Sequence, residues 1–263
     1  MLLSFFIGLL AGTFGGLLGL GGGVVMIALT VRFLKFTQHQ AHGTSLMALV
    51  FTGPAGALAY YRNGSVDIMA AGCLAAAAIF TARFGAMHAH ALPEWKLKRT
   101  FGVFVILVSL LLLAKPFLAH LAVLAHPATG WIEIAALLAS GAAAGFIGGM
   151  MGVGGGSIMV PAMVLVVGLS QYTAQGSSLL AMVPAGMVGA FTHRRLGNVV
   201  TSILPGLIMG IMVGAFLGGS LAHLLSEADL RLVFAAVLIC QGMLDIRAAR
   251  KIKASLASHH IRA

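Results

Sequence analysis

The chain has 263 residues, of which 60% are hydrophobic and only 8% are charged. Soluble domains carry about a quarter charged residues, so this composition excludes a soluble globular protein. The formal net charge of +10 would suggest nucleic acid as a partner of a soluble protein. Here the basic residues lie mainly in polar stretches between apolar segments, where they mark membrane topology. We therefore predict an all-α polytopic membrane protein whose partner is the lipid bilayer, with no nucleic acid.

Eight apolar segments follow one another along the chain. They are predicted at about 2–34, 42–61, 67–91, 100–118, 131–168, 174–193, 199–223 and 230–246. Prolines and polar stretches separate them. We expect residues 1–118 to form a first membrane repeat and 131–246 a second one, joined by a linker at 119–130. Residues 247–263 are predicted to form a basic C-terminal tail.

A constant offset of 133, the repeat offset, relates sequence positions in the two predicted repeats. GLLAGTFGGLLGLGGG at 8–23 lies over GAAAGFIGGMMGVGGG at 141–156, with nine of sixteen positions identical. The same register places AHGTSLMALV at 41–50 over AQGSSLLAMV at 174–183. Compositional bias produces scattered glycine matches, but it does not hold one register over about ninety residues. The sequence therefore predicts a duplicated fold.

Glycines interrupt the first and fifth segments in the middle. Splitting the first segment at Gly15–Gly23 leaves arms of about a dozen residues, each about 18 Å long. This is shorter than the roughly 30 Å hydrocarbon core. We therefore predict two re-entrant hairpins, which are tolerated at membrane depth where protein or a water-filled cavity satisfies the backbone.

The basic residues test this topology. If all eight segments span the membrane, nine Lys and Arg residues lie on one side and seven on the other, which predicts no preferred orientation of the protein. If both glycine segments are hairpins, thirteen lie on one side and three on the other, as the positive-inside rule expects. The second half is then inverted relative to the first, and both termini are cytoplasmic. The three residues on the outer side are Arg62, Lys115 and Arg231.

Each glycine stretch is followed by a segment that opens on small hydroxyl residues, HGTS at 42–45 and QGSS at 175–178. An N-terminal helical turn favours anions, and glycine lets a ligand approach the backbone. In an inverted repeat we expect the two clusters to face each other near the midplane. The predicted substrate-binding residues are Gly21, Gly22, Gly23, His42, Thr44, Ser45, Gly154, Gly155, Gly156, Gln175, Ser177 and Ser178. The competing interpretation is close helix packing, for which glycine and serine are common.

The remaining polar residues narrow the chemistry. All six carboxylates map to segment ends, loops or the tail, which favours an anionic or neutral substrate over a cation. Arg83 lies inside an apolar segment, either as a snorkelling side chain or as an anion-attracting residue in a vestibule. Cys73 and Cys240 are interpreted as packing residues. Because the sequence contains no HExxH motif, Cys cluster or Ser-His-Asp order, we predict neither enzyme activity nor a metal or organic cofactor.

The paired glycine motifs resemble the TauE/SafE family. The resemblance is carried by GLLGLGGG and GTSLMALVFTGPAGALAYYRNGSVD in the first half. In the second half it is carried by GVGGGSIMVPAMV and GSSLLAMVPAGMVGAFTHRRLGNV. It implies a bacterial inner-membrane permease for sulfur-containing anions such as sulfite or sulfoacetate. The family's proline near the end of each hairpin is matched by Pro161, whereas Ala28 holds the equivalent place in the first half.

The sequence and the resemblance together predict an exporter of a small anion, expected to be sulfite or another sulfur oxyanion or organosulfonate. Two alternatives stay open. One is transport of a different small anion or of a neutral solute, and the other is a membrane-embedded scaffold or accessory subunit. The assembly is also open, with a homodimer as one alternative.

Overall fold

The computed structural model describes residues 1–88, 94–117 and 128–260. This part of the chain contains ten α-helices and no strands, which confirms the predicted all-α class. They are α1 Leu2–Leu18, α2 Gly23–Leu34, α3 Gln38–Arg62, α4 Ile68–His88, α5 Glu94–Ala114, α6 Trp131–Met151, α7 Gly156–Ala162, α8 Gln171–Arg195, α9 Leu204–Ala222 and α10 Glu227–His260. A π-helical turn, Met163–Val167, continues α7. Most of the predicted linker, residues 119–127, lies outside the described residues.

Six of the described helices are long and apolar enough to cross a membrane: α4, α5, α6, α8, α9 and α10. Helix α3 is long enough but its mean hydropathy is too low for it to qualify. Helix α6 does qualify, with 21 residues and a length of about 30 Å. The membrane-spanning character of the molecule is thus supported by helix length and composition.

The predicted arm length of about a dozen residues is wrong for the first arm of the first hairpin. Helix α1 has 17 residues and α6 has 21, because both continue through the glycines at which they were expected to break. These glycines are packing positions within the helices. A Cβ atom on Gly8, Gly12 or Gly16 would overlap the main-chain carbonyl of Leu207, Ile211 or Ala215, respectively.

These contacts place α1 parallel to α9 over three turns, with the backbones touching. The same arrangement recurs in the second half at the repeat offset. Gly141, Gly145 and Gly149 of α6 lie against Leu74, Ala78 and Ala82 of the parallel helix α4. Close backbone contact of this kind is the usual role of small residues at helix interfaces in membranes.

Two other helix pairs run antiparallel. In the centre, α3 packs on α8, with Gly189 against Leu46 at one end and Gly56 against Leu179 at the other. At the side, α5 packs on α10, with Gly102 against Gly242 and the Lys253 ammonium 5.1 Å from the Trp95 ring. Helix α10 runs on to His260, so residues 247–260 of the predicted tail continue this helix.

Candidate functional site

Both glycine stretches form tight turns at which the chain reverses. The first turn, residues 19–22, has positive φ at Gly19, Gly21 and Gly22 (68°, 79° and 80°). This left-handed backbone is accessible to glycine without a steric penalty. A Cβ on Gly22 would overlap the Ala11 carbonyl, so α2 folds back on α1. The second turn, residues 152–155, reverses the chain between α6 and α7, with positive φ at Gly152 and Gly154.

The two turns pack on each other in the centre of the molecule. A Cβ on Gly23 would lie 2.7 Å from the Gly152 carbonyl oxygen, and one on Gly156 would overlap the Gly19 carbonyl. The two contacts are equivalent, because Gly23 corresponds to Gly156 and Gly19 to Gly152 at the repeat offset. The glycines predicted to approach a ligand therefore approach each other in this state.

Leu49 and Met182 fill the space beside the two turns. The Met182 sulfur lies 3.4 Å from the Cβ position of Gly21 and 3.0 Å from that of Gly154. The Leu49 side chain contacts both positions as well. A cavity next to them measures about 20 Å³, enough for a single water molecule. This side of the turns therefore has no room for an anion, whereas an apolar cavity of about 280 Å³, lined in part by Gly15, Leu20 and Gly22, lies on the other side of the first turn.

The first polar cluster consists of His42, Thr44 and Ser45 on α3. Ser45 Oγ donates a hydrogen bond to the Gly152 carbonyl at 2.5 Å, which ties α3 to the second glycine turn. Thr44 Oγ1 accepts from Val200 N at 3.1 Å. Both hydroxyls are fully buried. They hold the two halves together in this state.

The second polar cluster, Gln175, Ser177 and Ser178 on α8, repeats these bonds. Ser178 Oγ donates to the Gly19 carbonyl at 3.0 Å, and Ser177 Oγ accepts from Asp67 N at 2.8 Å. Each of these hydrogen bonds is the counterpart, at the repeat offset, of a bond made by the first cluster. The serine of each half therefore fixes the glycine turn of the other half.

The two clusters do not face each other, contrary to the expectation from the sequence. The antiparallel packing of α3 and α8 sets Ser178 level with about residue 57 of α3, because Leu179 contacts Gly56. Ser45 and Ser178 are therefore separated by about twelve residues of helix, or roughly 18 Å along the axis. One cluster lies on each side of the closed centre.

The sequence predicts that the two clusters form the first turns of their helices, but both helices begin earlier. Helix α3 begins at Gln38, where Thr37 and Gln40 form a reciprocal capping box. Helix α8 begins at Gln171, capped by the Ser170 side chain. Polar residues that had been interpreted as loop form the first helical turn. The free N–H groups nearest the centre belong instead to the first turn of α2, which starts at the contact between the glycine turns.

Tyr60 and His193 are two buried polar residues that the sequence analysis missed. Tyr60 Oη lies 3.1 Å from both the Gly16 and Leu17 carbonyls and 2.7 Å from Gln175 Oε1, and its single proton is donated to one of these three acceptors. His193 Nε2 donates to the Gly149 carbonyl at 3.1 Å, so it fills the Tyr60 role at the other end of the molecule. The available signal was their spacing: both are polar residues in apolar segments, and the repeat offset relates one to the other.

Gln175 has an unused hydrogen-bond donor. Its Oε1 lies 2.7 Å from Tyr60 Oη, while its buried Nε2 has no hydrogen-bond partner. The Gly19 turn contacts the Gln175 side chain directly. Both amide atoms of the neighbouring Gln171 are also buried without partners. Buried unpaired donors are rare in native structures, and a bound ligand or water is a common reason for them.

No described residues form a group of three His, Cys, Asp or Glu side chains that could hold a metal ion. Cofactor independence is therefore still a prediction.

The comparisons with known proteins point to one family. Residues 4–244 match the family described as "Sulfite exporter TauE/SafE". The chain is 29% identical over 262 residues to the "Probable membrane transporter protein YunE" of Bacillus subtilis (strain 168), covering 90% of this chain and 93% of that protein. It is 30% identical over 231 residues to a "Probable membrane transporter protein" of Xylella fastidiosa (strain Temecula1), covering 85% and 86%. No solved structure matches.

Proposed function

Because the chain belongs to the sulfite exporter TauE/SafE family, we propose that it is a permease that exports a small anion across the bacterial inner membrane. The expected substrate is sulfite or another sulfur oxyanion or organosulfonate. Relatives described as probable membrane transporters along nearly their whole length support the transport role. The substrate itself is inferred from the family description and from the chemistry of the centre.

The observation that carries the proposal is the unpaired Gln175 amide beside the Gly19 turn. A fully buried donor beside the turn to which the Ser178 hydroxyl bonds suits an oxyanion, which accepts several hydrogen bonds at once. The closed centre accommodates none, so binding requires the turns to separate. Separation at one side frees the hydroxyl and backbone groups that now bond across the two halves. The twelve predicted residues stay our candidates for binding, with Tyr60 as a positioning residue.

The directions of the packed helices support an inverted repeat. A duplication related by an axis in the membrane plane sets equivalent helices antiparallel, as α3 with α8 and α5 with α10 are. The starting residues of these pairs, 38 with 171 and 94 with 227, differ by the repeat offset. An arrangement with eight spans and all loops alternating would make both pairs parallel. We therefore propose three spans and one deep hairpin per half, with both termini cytoplasmic.

Cysteine labelling tests this topology. Gln38 and Asn63 are exposed at the two ends of α3, whereas Gln171 is fully buried and cannot report. In a background lacking Cys73 and Cys240, we expect a membrane-impermeant maleimide to label Asn63→Cys but not Gln38→Cys in intact cells. Ser226→Cys is a control that both topologies place outside. Labelling of Gln38→Cys from outside, with Asn63→Cys protected, would contradict the inverted arrangement.

Flux through the purified protein tests the transport role. Proteoliposomes are loaded with sulfite, thiosulfate, sulfate or a short alkyl sulfonate, and release is compared with that from empty liposomes. We expect a sulfur oxyanion or sulfonate to leave fastest, with loss of flux in Ser45→Ala/Ser178→Ala. Absence of flux for every anion in the panel would instead favour a different solute or a scaffold role.

A further inference from the structure

A groove outside the transport core combines two arginines with apolar side chains. It lies between the C-terminal halves of α4 and α8 and has a volume of about 690 Å³. Its lining includes Arg83, Met87, Met187, Phe191, Arg195 and Leu196. Those on α8, Met187, Phe191 and Arg195, lie on the face of that helix opposite the one that packs on the centre through Leu179 and Met182. The groove therefore opens to the surroundings of the bundle and not toward the glycine turns.

The two guanidinium groups offer unused charge. Within the described part of the chain, neither Arg83 nor Arg195 forms an ion pair with a carboxylate. Arg195 is held in place by the Phe191 ring, with its guanidinium carbon 4.4 Å from the ring centroid. An unpaired cation near the apolar region of a membrane is costly unless it meets water or an anion. Two such cations at one groove favour an anionic ligand.

The apolar part of the groove indicates what this ligand carries. Met87, Met187 and Phe191 are each more than half exposed, with 52%, 56% and 55% of their surfaces accessible. Exposed side chains of this kind suit acyl chains and not water. A ligand with a phosphate at one end and hydrocarbon at the other satisfies both halves of the groove.

We propose that this groove binds an anionic phospholipid of the cytoplasmic leaflet, with its phosphate between Arg83 and Arg195 and its acyl chains along Met187 and Phe191. The choice of leaflet rests on the topology proposed above, which places the C-terminal ends of α4 and α8 on the cytoplasmic side. That side carries most of the basic residues, and basic pockets between helices there are known to recognise lipid headgroups.

The equivalent position in the other half provides an internal comparison. The repeat offset carries Arg83 to Phe216 and relates Arg195 to Arg62. Arg62 lies over the Phe216 ring, 5.4 Å from its centroid. The outer position thus has one arginine stacked on a phenylalanine where the inner groove has two arginines. The second arginine of the groove, Arg83, therefore has no counterpart at the equivalent position of the other half.

Lipid binding to the full-length protein in detergent tests the proposal. Native mass spectrometry and thermal melting are recorded with added phosphatidylglycerol, phosphatidylcholine or inorganic phosphate. We expect phosphatidylglycerol to be retained and to raise the melting temperature, with little effect of the other two. Each arginine lost should weaken binding about fivefold, from roughly 1 kcal/mol per basic residue near an anionic surface. The variants are Arg83→Gln, Arg195→Gln and Arg83→Phe, which copies the outer position.

Arg62→Gln is the matched control and should bind phosphatidylglycerol like the wild type. Melting without lipid checks that each variant is folded. Stabilisation by inorganic phosphate alone would assign the groove to a free anion and overturn the proposal. Equal binding of both lipids, or unchanged lipid binding in the double variant Arg83→Gln/Arg195→Gln, would also overturn it. These readouts do not depend on transport, so their failure is distinct from a failure of the proposed function.

Discussion

Valine at Gly156 or at Gly23 is expected to prevent the two glycine turns from closing on each other. Even a methyl group at Gly156 would overlap the Gly19 carbonyl, and one at Gly23 would lie 2.7 Å from the Gly152 oxygen. Neither neighbour is a flexible side chain that could turn away. Overpacking of this kind costs about 3 kcal/mol or more. We expect a fall of roughly 10 °C in the melting temperature and loss of transport.

Gly72→Val is the matched control for this prediction. Gly72 lies in α4, and a Cβ at this position would meet nothing within 4 Å. The same substitution should therefore leave both melting and transport near the wild-type values. Detergent melting and proteoliposome flux are measured on all three variants. If Gly156→Val and Gly23→Val melted like Gly72→Val, the packed turns would not be the closed state of the protein.

Gln175→Glu is expected to abolish anion binding and also to lower the melting temperature, because the new carboxylate is fully buried in the closed state. The substitution keeps the oxygen that accepts from Tyr60 Oη and replaces the unpaired Nε2 donor by an anionic oxygen. Loss of a hydrogen bond to a charged ligand costs about 1.5–3 kcal/mol, or roughly ten- to a hundredfold in affinity. The added negative charge deepens this loss by repelling an anion. Titration of sulfite binding and flux at pH 7.5 measure the effect.

Tyr60→Phe is the control that removes the partner instead of the donor. It deletes the hydroxyl that bonds to Gly16, Leu17 and Gln175 but keeps the Gln175 amide. We expect it to lower the melting temperature and to reduce affinity less than Gln175→Glu does. Unchanged sulfite affinity in Gln175→Glu would remove Gln175 from the binding site. Affinity losses that follow the melting losses in both variants would reduce the amide to a packing role.

The sequence alone predicted a good part of the architecture. The chain reversals at Gly19–Gly22 and Gly152–Gly155 lie within the predicted glycine stretches, although later than their first glycines, because left-handed turns leave a direct trace in composition. Helix starts were predicted less well, since Gln38–Gln40 look like loop until their capping partners are known. The lengths of α1 and α6 could not be predicted, because a glycine inside a helix and a glycine that ends one differ only in their tertiary neighbours.

The candidate site was predicted in its members but not in its arrangement. Thr44, Ser45, Ser177 and Ser178 are all buried at the contacts between the halves, yet the distance between the two clusters depends on how α3 crosses α8. Gly22 and Gly155 also differ in backbone conformation, although they are equivalent positions of the repeat. Gly22 has φ of 80°, whereas Gly155 has φ of −88° and faces the side chains of Ala144 and Met159. Bulk at Gly22 is therefore expected to damage the fold, whereas alanine at Gly155 avoids the left-handed backbone but would still lie 2.8 Å from Ala144 Cβ.

The matching bonds from Ser45 to Gly152 and from Ser178 to Gly19 have a consequence for direction. Under the proposed alternating access, opening inward breaks the first bond and opening outward breaks the second. The relative energy of the two access states sets only how often each is occupied, and the substrate gradient or a coupled ion sets the direction of net flux. The residues in which the two ends differ, Tyr60 with Gln175 at one and His193 with His42 at the other, are then the places where evolution could tilt that balance.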